Sequence, residues 1–359
     1  MNRLSRLQAE QFATHPYPEH ILIVTDAWQP QMNGVVRTLE MTCTQLRLRG
    51  HRVTLISPDQ FHSVACPTYP EIRLALNPPR AVGKLITSAN ADAIHIATEG
   101  PLGFAARRFC VRHGIPFTTA FHTRFPDYCA ARTGLSPRHF WRYIRWFHAP
   151  ARQVMTATES LREELRGQGL TRLHHWGRGV DLACFTPDAP KPLEYERLAH
   201  PIQLYVGRVA VEKNIEAFLA GNYPGSKVVV GDGPALAELK QRFPHTLFAG
   251  RQSGRELAGY YAGAHVFVFP SRTDTFGLVM IEALACGTPV AAFPVTGPVD
   301  IVTDEVGALS ENLDRAIAAA VFNDRKKCSE YGASFGWNQS TDQFVSGLVP
   351  NALEIADAA

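Results

Sequence analysis

Short apolar runs alternate with amphipathic stretches along this chain, and the alternation predicts strands and helices in turn. Residues 21–24 form an uninterrupted apolar run, which is typical of a strand buried on both faces of a sheet. From Gly34 onwards apolar residues recur at the helical period, and residues 53–56 predict a second strand. A strand, a helix and a strand in this order predict a parallel sheet with right-handed crossovers.

The same alternation recurs on both sides of a proline-rich polar segment, residues 181–200, which predicts a linker. Further strands are predicted at residues 93–96, 116–120, 154–158, 202–206, 227–230, 246–248, 265–269 and 289–292. Helices of the second half are predicted at residues 214–220, 234–242, 254–262 and 277–285. The fold class is therefore α/β, with two Rossmann-like doubly wound domains that face each other across a ligand-binding cleft.

The composition is that of a globular protein, since 45% of the 359 residues are hydrophobic and 19% are charged. These values exclude wholesale disorder, collagen and coiled coil. No apolar run approaches the roughly 18 residues of a membrane-spanning helix, and residues 1–10 lack a hydrophobic signal core. The seven cysteines are scattered without a CxxC pair, which favours reduced thiols in a cytoplasm over disulfides or a zinc site.

Positive charge is concentrated in the first half of the chain. Residues 1–185 contain 22 lysines and arginines against 13 acids, a net charge of +9, whereas residues 186–359 contain 14 against 20, a net charge of −6. Nine arginines and a single acid, Asp127, lie in residues 101–152. This asymmetry indicates either an anionic partner, such as a membrane surface, a nucleotide or a nucleic acid, or a solvated basic surface.

Two acids in the second half lie where an anionic ligand is expected to bind. Asp274 follows a predicted buried strand, and Gly277 opens the next predicted helix. The free backbone N–H groups of residues 276–279 and the helix dipole favour a negative group there. Glu282 lies eight residues beyond Asp274, so the two acids can hold hydroxyl groups on either side of a phosphate. Alternatively, Asp274 caps the helix and Glu282 is a surface acid.

Two basic residues follow an earlier strand of the same half. Arg208 and Lys213 lie between the strand at 202–206 and the next predicted helix. The helix dipole gives a cation no help at a helix start, so this placement is favourable if both side chains bind phosphate oxygens. In the alternative interpretation they are exposed surface cations, with Lys213 paired to Glu212 or Glu216.

The first half contributes two weaker candidates. Gly34 lies at the first strand-to-helix loop, where a glycine lets the backbone approach a ligand closely. His122 follows the strand predicted at 116–120 and would face the cleft. A single glycine or a single histidine in such a place is more often structural than catalytic.

Arginine and aromatic residues are interleaved in residues 136–152. Tryptophan and tyrosine prefer the membrane interface and arginine binds anionic headgroups, so this segment predicts an interfacial helix. A helix packed on its own domain is the alternative. The residues concerned are Arg138, Phe140, Trp141, Arg142, Tyr143, Arg145, Trp146, Phe147 and Arg152.

Taken together, these motifs resemble those of the retaining glycosyltransferases of family 4, which have the two-domain GT-B fold. The likeness covers nearly the whole chain and includes Asp274, Glu282 and residues 207–214 and 286–289. The family usually has glutamate at both acidic positions, whereas the first is Asp274 here. This form resembles the branch of sulfoquinovosyl, glucosyl and glucuronosyl transferases acting on diacylglycerol, and certain mannosyltransferases.

The resemblance implies a role for each candidate residue. Arg208 and Lys213 would neutralise the diphosphate of a nucleotide sugar. Glu282 would bind the ribose hydroxyls, Asp274 a sugar hydroxyl, and His122 the donor hexose near the reacting centre. The catalytic set would thus be His122, Arg208, Lys213 and Asp274, and the further donor contacts would be Gly34, Phe276, Gly277 and Leu278. The anomeric configuration would be retained, without a metal ion or other cofactor.

The resemblance also implies a division of the chain. Residues 1–185 would form the acceptor-binding domain and residues 186–334 the domain that binds the nucleotide sugar. Residues 335–359 would form a C-terminal helix that crosses back to the first domain.

Charge and resemblance together favour a hexosyltransferase that moves glucose or glucuronic acid from a UDP-sugar to a membrane lipid, with diacylglycerol first. Its basic first domain would hold it on the inner, cytoplasmic face of an anionic membrane. One alternative is a GDP-mannose-dependent α-mannosyltransferase, and another is a nucleotide-sugar epimerase of the same fold. A non-catalytic nucleotide- or nucleic-acid-binding protein is a third, but Asp274 and Glu282 beside the phosphate site count against nucleic acid.

Overall fold

The computed structural model describes residues 18–351 apart from residues 32, 67–68, 77, 127–133 and 135. Within this part of the chain two parallel six-stranded sheets are each covered by helices, which confirms the doubly wound α/β prediction. None of the helices in these ranges is both long and apolar enough to cross a membrane.

The first domain is built on one of these sheets. Its elements are β1 (His20–Val24), α1 (Gly34–Leu48), β2 (Arg52–Ile56), a 3₁₀ turn (Pro58–Gln60), β3 (Ser63–Cys66), β4 (Tyr69–Ala75), α2 (Pro78–Ala89), β5 (Ala93–Ile96), α3 (Pro101–His113), β6 (Thr118–Ala120), α4 (Pro137–His148), β7 (Val154–Thr156), α5 (Glu159–Gly167) and β8 (Leu173–His175). The parallel sheet has the order β2-β1-β5-β6-β7-β8, and β3 pairs antiparallel with β4. All five residues of β1 are buried, as its uninterrupted apolar run predicts.

The second domain repeats this architecture. Its elements are a 3₁₀ turn (Leu193–Arg197), β9 (Ile202–Val206), a 3₁₀ turn (Val211–Lys213), α6 (Ile215–Leu219), β10 (Ser226–Val230), α7 (Leu236–Arg242), β11 (Leu247–Gly250), α8 (Gly254–Gly263), β12 (Val266–Phe269), α9 (Leu278–Ala285), β13 (Val290–Ala292), α10 (Pro298–Ile301), β14 (Gly307–Leu309), α11 (Leu313–Ala320) and α12 (Arg325–Ala333). The sheet order is β11-β10-β9-β12-β13-β14.

The segment predicted as a linker, residues 181–200, is packed on the second domain rather than extended through solvent. Phe185 and Tyr195 are buried in the same apolar cluster as the core residues of that domain. The Tyr195 hydroxyl donates a hydrogen bond to the carbonyl of Tyr260 at 3.1 Å. The proline-rich composition therefore indicates the segment that connects the domains, and its aromatic side chains pack it onto the second domain.

Of the C-terminal helix predicted over residues 335–359, the structure shows α13 (Trp337–Gly347), which lies against the first domain, while residues 352–359 lie outside the described part of the chain. Phe344 is buried in the cluster that contains Ile21 and Ile23 of β1. On the surface, an Arg49 guanidinium nitrogen lies 2.5 Å from the Asp342 carboxylate, which joins the end of α1 to this helix. The helix thus makes both apolar and ionic contacts with the first domain.

Candidate active site between the two domains

The candidate residues lie at the point where each sheet reverses its strand order. The reversal falls between β1 and β5 in the first sheet and between β9 and β12 in the second. Loops at the carboxyl ends of such strands form the usual ligand crevice of doubly wound sheets. The loop after β9 contains Arg208 and Lys213, the loop after β12 contains Asp274, and the loop after β1 leads to Gly34.

Lys213 and Asp274 form an ion pair between two loops at the carboxyl ends of strands of the second sheet. The Nζ atom of Lys213 lies 2.5 Å from Oδ1 of Asp274, and the side chains are 23% and 20% exposed. The Asp274 Oδ2 atom is buried and has no hydrogen-bond partner among the described residues. Asp274 is not a helix cap, because α9 has Gly277 at its N-cap and no capping side chain. The pair therefore places a cation and a free carboxylate oxygen side by side.

The start of α9 requires the glycine that precedes it. Gly277 has φ +92°, and an added Cβ would lie 2.7 Å from the Met280 side chain and 3.0 Å from that of Phe269. Phe276 on its other side is buried. The tight turn brings the first turn of α9 to the cleft, where a helix start favours an anion.

The two domains meet where Gly34 faces Leu278. A Cβ built on Gly34 would lie 3.6 Å from the Leu278 side chain, so the starts of α1 and α9 are opposed across the cleft. The Asn33 side chain caps α1 by accepting hydrogen bonds from the backbone N–H groups of Val35 and Val36. The structure thus brings two of the predicted donor contacts, Gly34 and Leu278, into one place.

Glu282 is 3% exposed, so it is not the surface acid that one interpretation of the sequence allowed. One carboxylate oxygen lies 2.5 Å from an Arg37 guanidinium nitrogen, and the other accepts a hydrogen bond from the Tyr261 hydroxyl at 3.0 Å. Burial raises the pKa of Glu282, although the Arg37 charge and the Tyr261 hydrogen bond oppose this shift. The first domain therefore contributes a cation to the carboxylate predicted to bind ribose.

Sequence reasoning missed Arg37. The sequence did contain a signal for Arg37. A cation in the first turn of a helix interacts unfavourably with the helix dipole, so an acidic partner from elsewhere in the fold is expected. The Arg37 guanidinium also lies 5.2 Å from the centre of the Phe185 ring, in the segment between the domains. The partner itself, Glu282, could be found only from the tertiary structure.

His122 lies at the same junction. Its carbonyl accepts a hydrogen bond from the Thr275 hydroxyl at 2.7 Å, and Thr275 directly follows Asp274. The Nδ1 atom of His122 lies 3.1 Å from a guanidinium nitrogen of Arg178, a residue that sequence reasoning did not select. Burial above all, and then the charge of Arg178 and the neighbouring His95, hold the pKa of His122 well below its ordinary value. These effects favour the neutral form of the ring.

Arg208 is half-buried on the same loop as Lys213. Its carbonyl accepts a hydrogen bond from the buried Tyr205 hydroxyl at 2.8 Å, which fixes the loop to β9. The assignment of Arg208 to a diphosphate stays a prediction, as do the ligand roles assigned to the other candidate residues.

Asp26 has a structural role near this site. Its carboxylate accepts hydrogen bonds from the backbone N–H groups of Leu102 and Gly103 in the first turn of α3. Burial raises its pKa to about 6 despite these bonds. Across the described ranges no three or more histidine, cysteine or acidic side chains are grouped so that they could hold a metal ion.

Comparison with known proteins gives matches along both domains. Residues 32–184 match the model of glycosyltransferase family 4, and residues 200–323 match that of glycosyl transferases group 1. A GDP-mannose-dependent alpha-mannosyltransferase of Mycobacterium tuberculosis is 30% identical over 84% of this chain and 88% of its own length. Sulfoquinovosyl transferase SQD2 of Arabidopsis thaliana is 29% identical over 72% and 56%. Alpha-monoglucosyldiacylglycerol synthase of Streptococcus pneumoniae is 26% identical over 75% and 70%.

Solved structures match the fold over nearly the whole chain. Sucrose-phosphate synthase from Thermosynechococcus elongatus superposes with a TM-score of 0.73 at 22% identity, over 91% of this chain and 98% of that protein. The HepE protein of Anabaena, solved in complex with UDP-glucose, gives a TM-score of 0.64 at 15% identity, over the same shares of the two chains. These matches confirm the predicted GT-B arrangement.

Proposed function

The chain belongs to glycosyltransferase family 4, and from this premise we propose that it transfers a hexose from a nucleotide diphosphate sugar to a lipid hydroxyl. The observation that carries the proposal is the Lys213–Asp274 ion pair beside the first turn of α9. A cation, a helix start and an acid that accepts hydroxyl hydrogen bonds are the groups that a sugar diphosphate requires.

GDP-mannose is the donor that we propose first. The sequence favoured UDP-glucose or UDP-glucuronate, but the mannosyltransferase relative matches a larger share of this chain than the sulfoquinovosyl and glucosyl relatives do. UDP-glucose is the second candidate, since the name of the Streptococcus pneumoniae relative describes a glucosyl lipid product.

A lipid acceptor is supported by an exposed face on the first domain. Arg138, Arg142, Arg145 and Trp146 recur at helical spacing along α4, and all four are exposed. Trp146 is 45% exposed, and its ring centroid lies 5.8 Å from that of Phe104, which is 36% exposed. We call these five residues the arginine–tryptophan face. Its chemistry suits the headgroup layer of an anionic membrane.

The proposed reaction proceeds on the face that the leaving group departs from. The bond between C1 of the hexose and the β-phosphate oxygen breaks, and the acceptor oxygen bonds to C1 on the same face. The acceptor proton passes to the departing phosphate oxygen. Lys213, Arg208 and the first turn of α9 would stabilise the charge that develops on the diphosphate, so no metal ion is required.

A direct experiment supplies radiolabelled GDP-mannose, UDP-glucose or UDP-glucuronate together with membrane lipids, with and without EDTA. We expect labelled lipid from GDP-mannose, the same yield within about twofold in EDTA, and an α-linked product. No labelled lipid from any donor would reject the lipid-transfer proposal. Conversion of the donor without an acceptor would instead indicate an epimerase.

The ribose role of Glu282 predicts a loss of discrimination in Glu282→Gln. Removing the ribose hydroxyls from a nucleoside diphosphate should weaken its binding to the unaltered protein about 10- to 100-fold, because hydrogen bonds to a buried carboxylate are lost. In the variant, the diphosphates with and without these hydroxyls should bind within about threefold of each other, as measured by calorimetry.

Glu311→Gln is the matched control, because Glu311 is an exposed acid paired with Arg272 in the same domain. It should discriminate like the unaltered protein. If Glu282→Gln discriminates equally well, Glu282 does not bind ribose.

The arginine–tryptophan face predicts binding to anionic vesicles. Replacing Arg142 and Arg145 together by alanine should lower the partition coefficient about 10- to 30-fold, since each arginine near such a surface contributes about 1 kcal/mol. Sedimentation with vesicles of phosphatidylglycerol and phosphatidylcholine measures it. Phe322→Ala removes an 85% exposed side chain outside this face and should change nothing. Equal sedimentation of the double variant would refute the assignment.

A further inference from the structure

The His122 ring is enclosed by a small set of groups. Its Nδ1 atom lies 3.1 Å from the Nη2 atom of Arg178, and its plane meets the Trp176 ring edge-on at 5.4 Å between centroids. The Nε2 atom is buried and has no hydrogen-bond partner in the described part of the chain. The Nδ1 atom thus has a protein partner, whereas the Nε2 atom can bind a ligand.

Arg178 is buried, and its own loop holds it in place. Its Nη1 atom donates to the carbonyls of Trp176 at 2.6 Å and Gly177 at 3.0 Å, and its guanidinium lies 4.6 Å from the centre of the Trp176 ring. No carboxylate pairs with it among the residues that the structure describes. Burial lowers the pKa of Arg178 to about 9, so the guanidinium still carries its charge near neutral pH.

The contact between these residues determines which ring nitrogen of His122 carries the proton. A guanidinium has N–H donors and no acceptor, so the Nδ1 atom that it contacts must be the acceptor. The single proton of the neutral imidazole is therefore on Nε2. A buried N–H group without a partner is costly, and an oxygen of a bound substrate would satisfy it.

We propose that Arg178 is a positioning residue that holds His122 as its neutral Nε2–H tautomer, ready to donate to an oxygen of the donor sugar. This inference rests on the proposed function for the identity of the acceptor atom. It gives His122 the role of a hydrogen-bond donor, and it excludes the ring as a general base, because its unprotonated nitrogen already accepts from Arg178.

The charged and titratable groups around the ring favour this state. Burial of the ring above all, and then the charge of Arg178, oppose a second proton on His122. His95 is itself buried, with Nδ1 at 2.9 Å from the Thr118 hydroxyl oxygen, and burial lowers its pKa to about 3. The nearest acid on the loop from the second domain is Asp274, next to Thr275, and its carboxylate is paired with Lys213.

Nitrogen NMR of the full chain labelled with ¹⁵N-histidine tests the tautomer without any substrate. His122→Gln assigns the signal. We expect a proton on Nε2 alone, from about pH 8 to about pH 5. In Arg178→Met the Nδ1 atom loses its donor, so the proton should be distributed over Nδ1 and Nε2 instead of staying on Nε2 alone. A proton on Nδ1, or an imidazolium at about pH 6 in the unaltered protein, would overturn the proposal.

Two further variants separate positioning from folding. Arg178→Lys retains a side chain that only donates and should keep the Nε2–H signal, which decides the matter even if Arg178→Met does not fold. Arg107→Met is the control, because Arg107 is also buried and donates to the carbonyls of Trp146 and Phe147. It should leave the His122 signal unchanged. Loss of the tautomer in Arg107→Met would show that any buried arginine has this effect, and the proposal would fall.

Kinetics supply a readout that a merely structural role would not change. Arg178→Met should lower kcat for hexose transfer about tenfold, because the ring is no longer held in its donating tautomer, whereas Arg178→Lys should restore kcat to within about twofold of the unaltered enzyme. If the unaltered enzyme transfers no hexose from any donor, the proposed function fails, while the NMR result on His122 still stands or falls by itself.

Discussion

Lys213→Ala is expected to lower kcat/KM for hexose transfer about 10²- to 10³-fold while the protein keeps its fold. The Lys213 ammonium lies 2.5 Å from Asp274 at the carboxyl end of the second sheet, beside the start of α9. When the bond between the sugar and the diphosphate breaks, negative charge develops on the diphosphate, and an ordered cation stabilises it. Steady-state kinetics measures kcat/KM, and circular dichroism tests whether the fold is kept.

Lys327→Ala is the matched control, because Lys327 also pairs with an acid, Glu305, at 2.8 Å in the same domain. That pair is exposed on the surface, so its loss should leave kcat/KM within about twofold. Near-normal turnover of Lys213→Ala would contradict the phosphate role of Lys213. A collapse of both variants would point to a general loss of stability.

Asp274→Ala is expected to lower kcat about 10²-fold without weakening the binding of a nucleoside diphosphate. The buried Oδ2 atom of Asp274, which has no hydrogen-bond partner in the described ranges, is the proposed acceptor for a sugar hydroxyl. Its loss removes a sugar contact. It also releases Lys213 from its ion pair, so the cation is freer to bind phosphate. The variant should therefore lose kcat while its diphosphate affinity stays the same or rises.

Glu305→Gln serves as the control for charge, because it removes the acid of the exposed Lys327–Glu305 pair. It should leave kcat and diphosphate affinity unchanged. If Asp274→Ala loses diphosphate affinity in parallel with kcat, Asp274 acts only by positioning Lys213. Unchanged kcat in Asp274→Ala would contradict any sugar contact.

Much of the fold follows from local patterns in the sequence. The apolar run at 21–24 lies within β1 (His20–Val24), and the repeating alternation gives two parallel sheets. Element ends are less accurate, as the strand predicted at 116–120 is seen only at Thr118–Ala120. Strand ends depend on hydrogen bonds with neighbouring strands, and those partners are distant in sequence.

The candidate site was predictable where one stretch of chain forms it. Asp274, Gly277 and Glu282 follow from a strand, a turn and a helix, which are local features. The Arg37–Glu282 and Arg178–His122 contacts could not be predicted, because each joins segments that only tertiary folding brings together. Periodicity indicates which face of an element is buried, but it does not name the residue on the other side.

A crystal structure with a bound nucleoside diphosphate, GDP first, tests the central claim most directly. We expect the diphosphate to contact Lys213, Arg208 and the first turn of α9, with the ribose hydroxyls on Glu282 and Arg37 released from that carboxylate. A nucleotide bound elsewhere, or a diphosphate in the cleft that touches neither basic side chain, would contradict it.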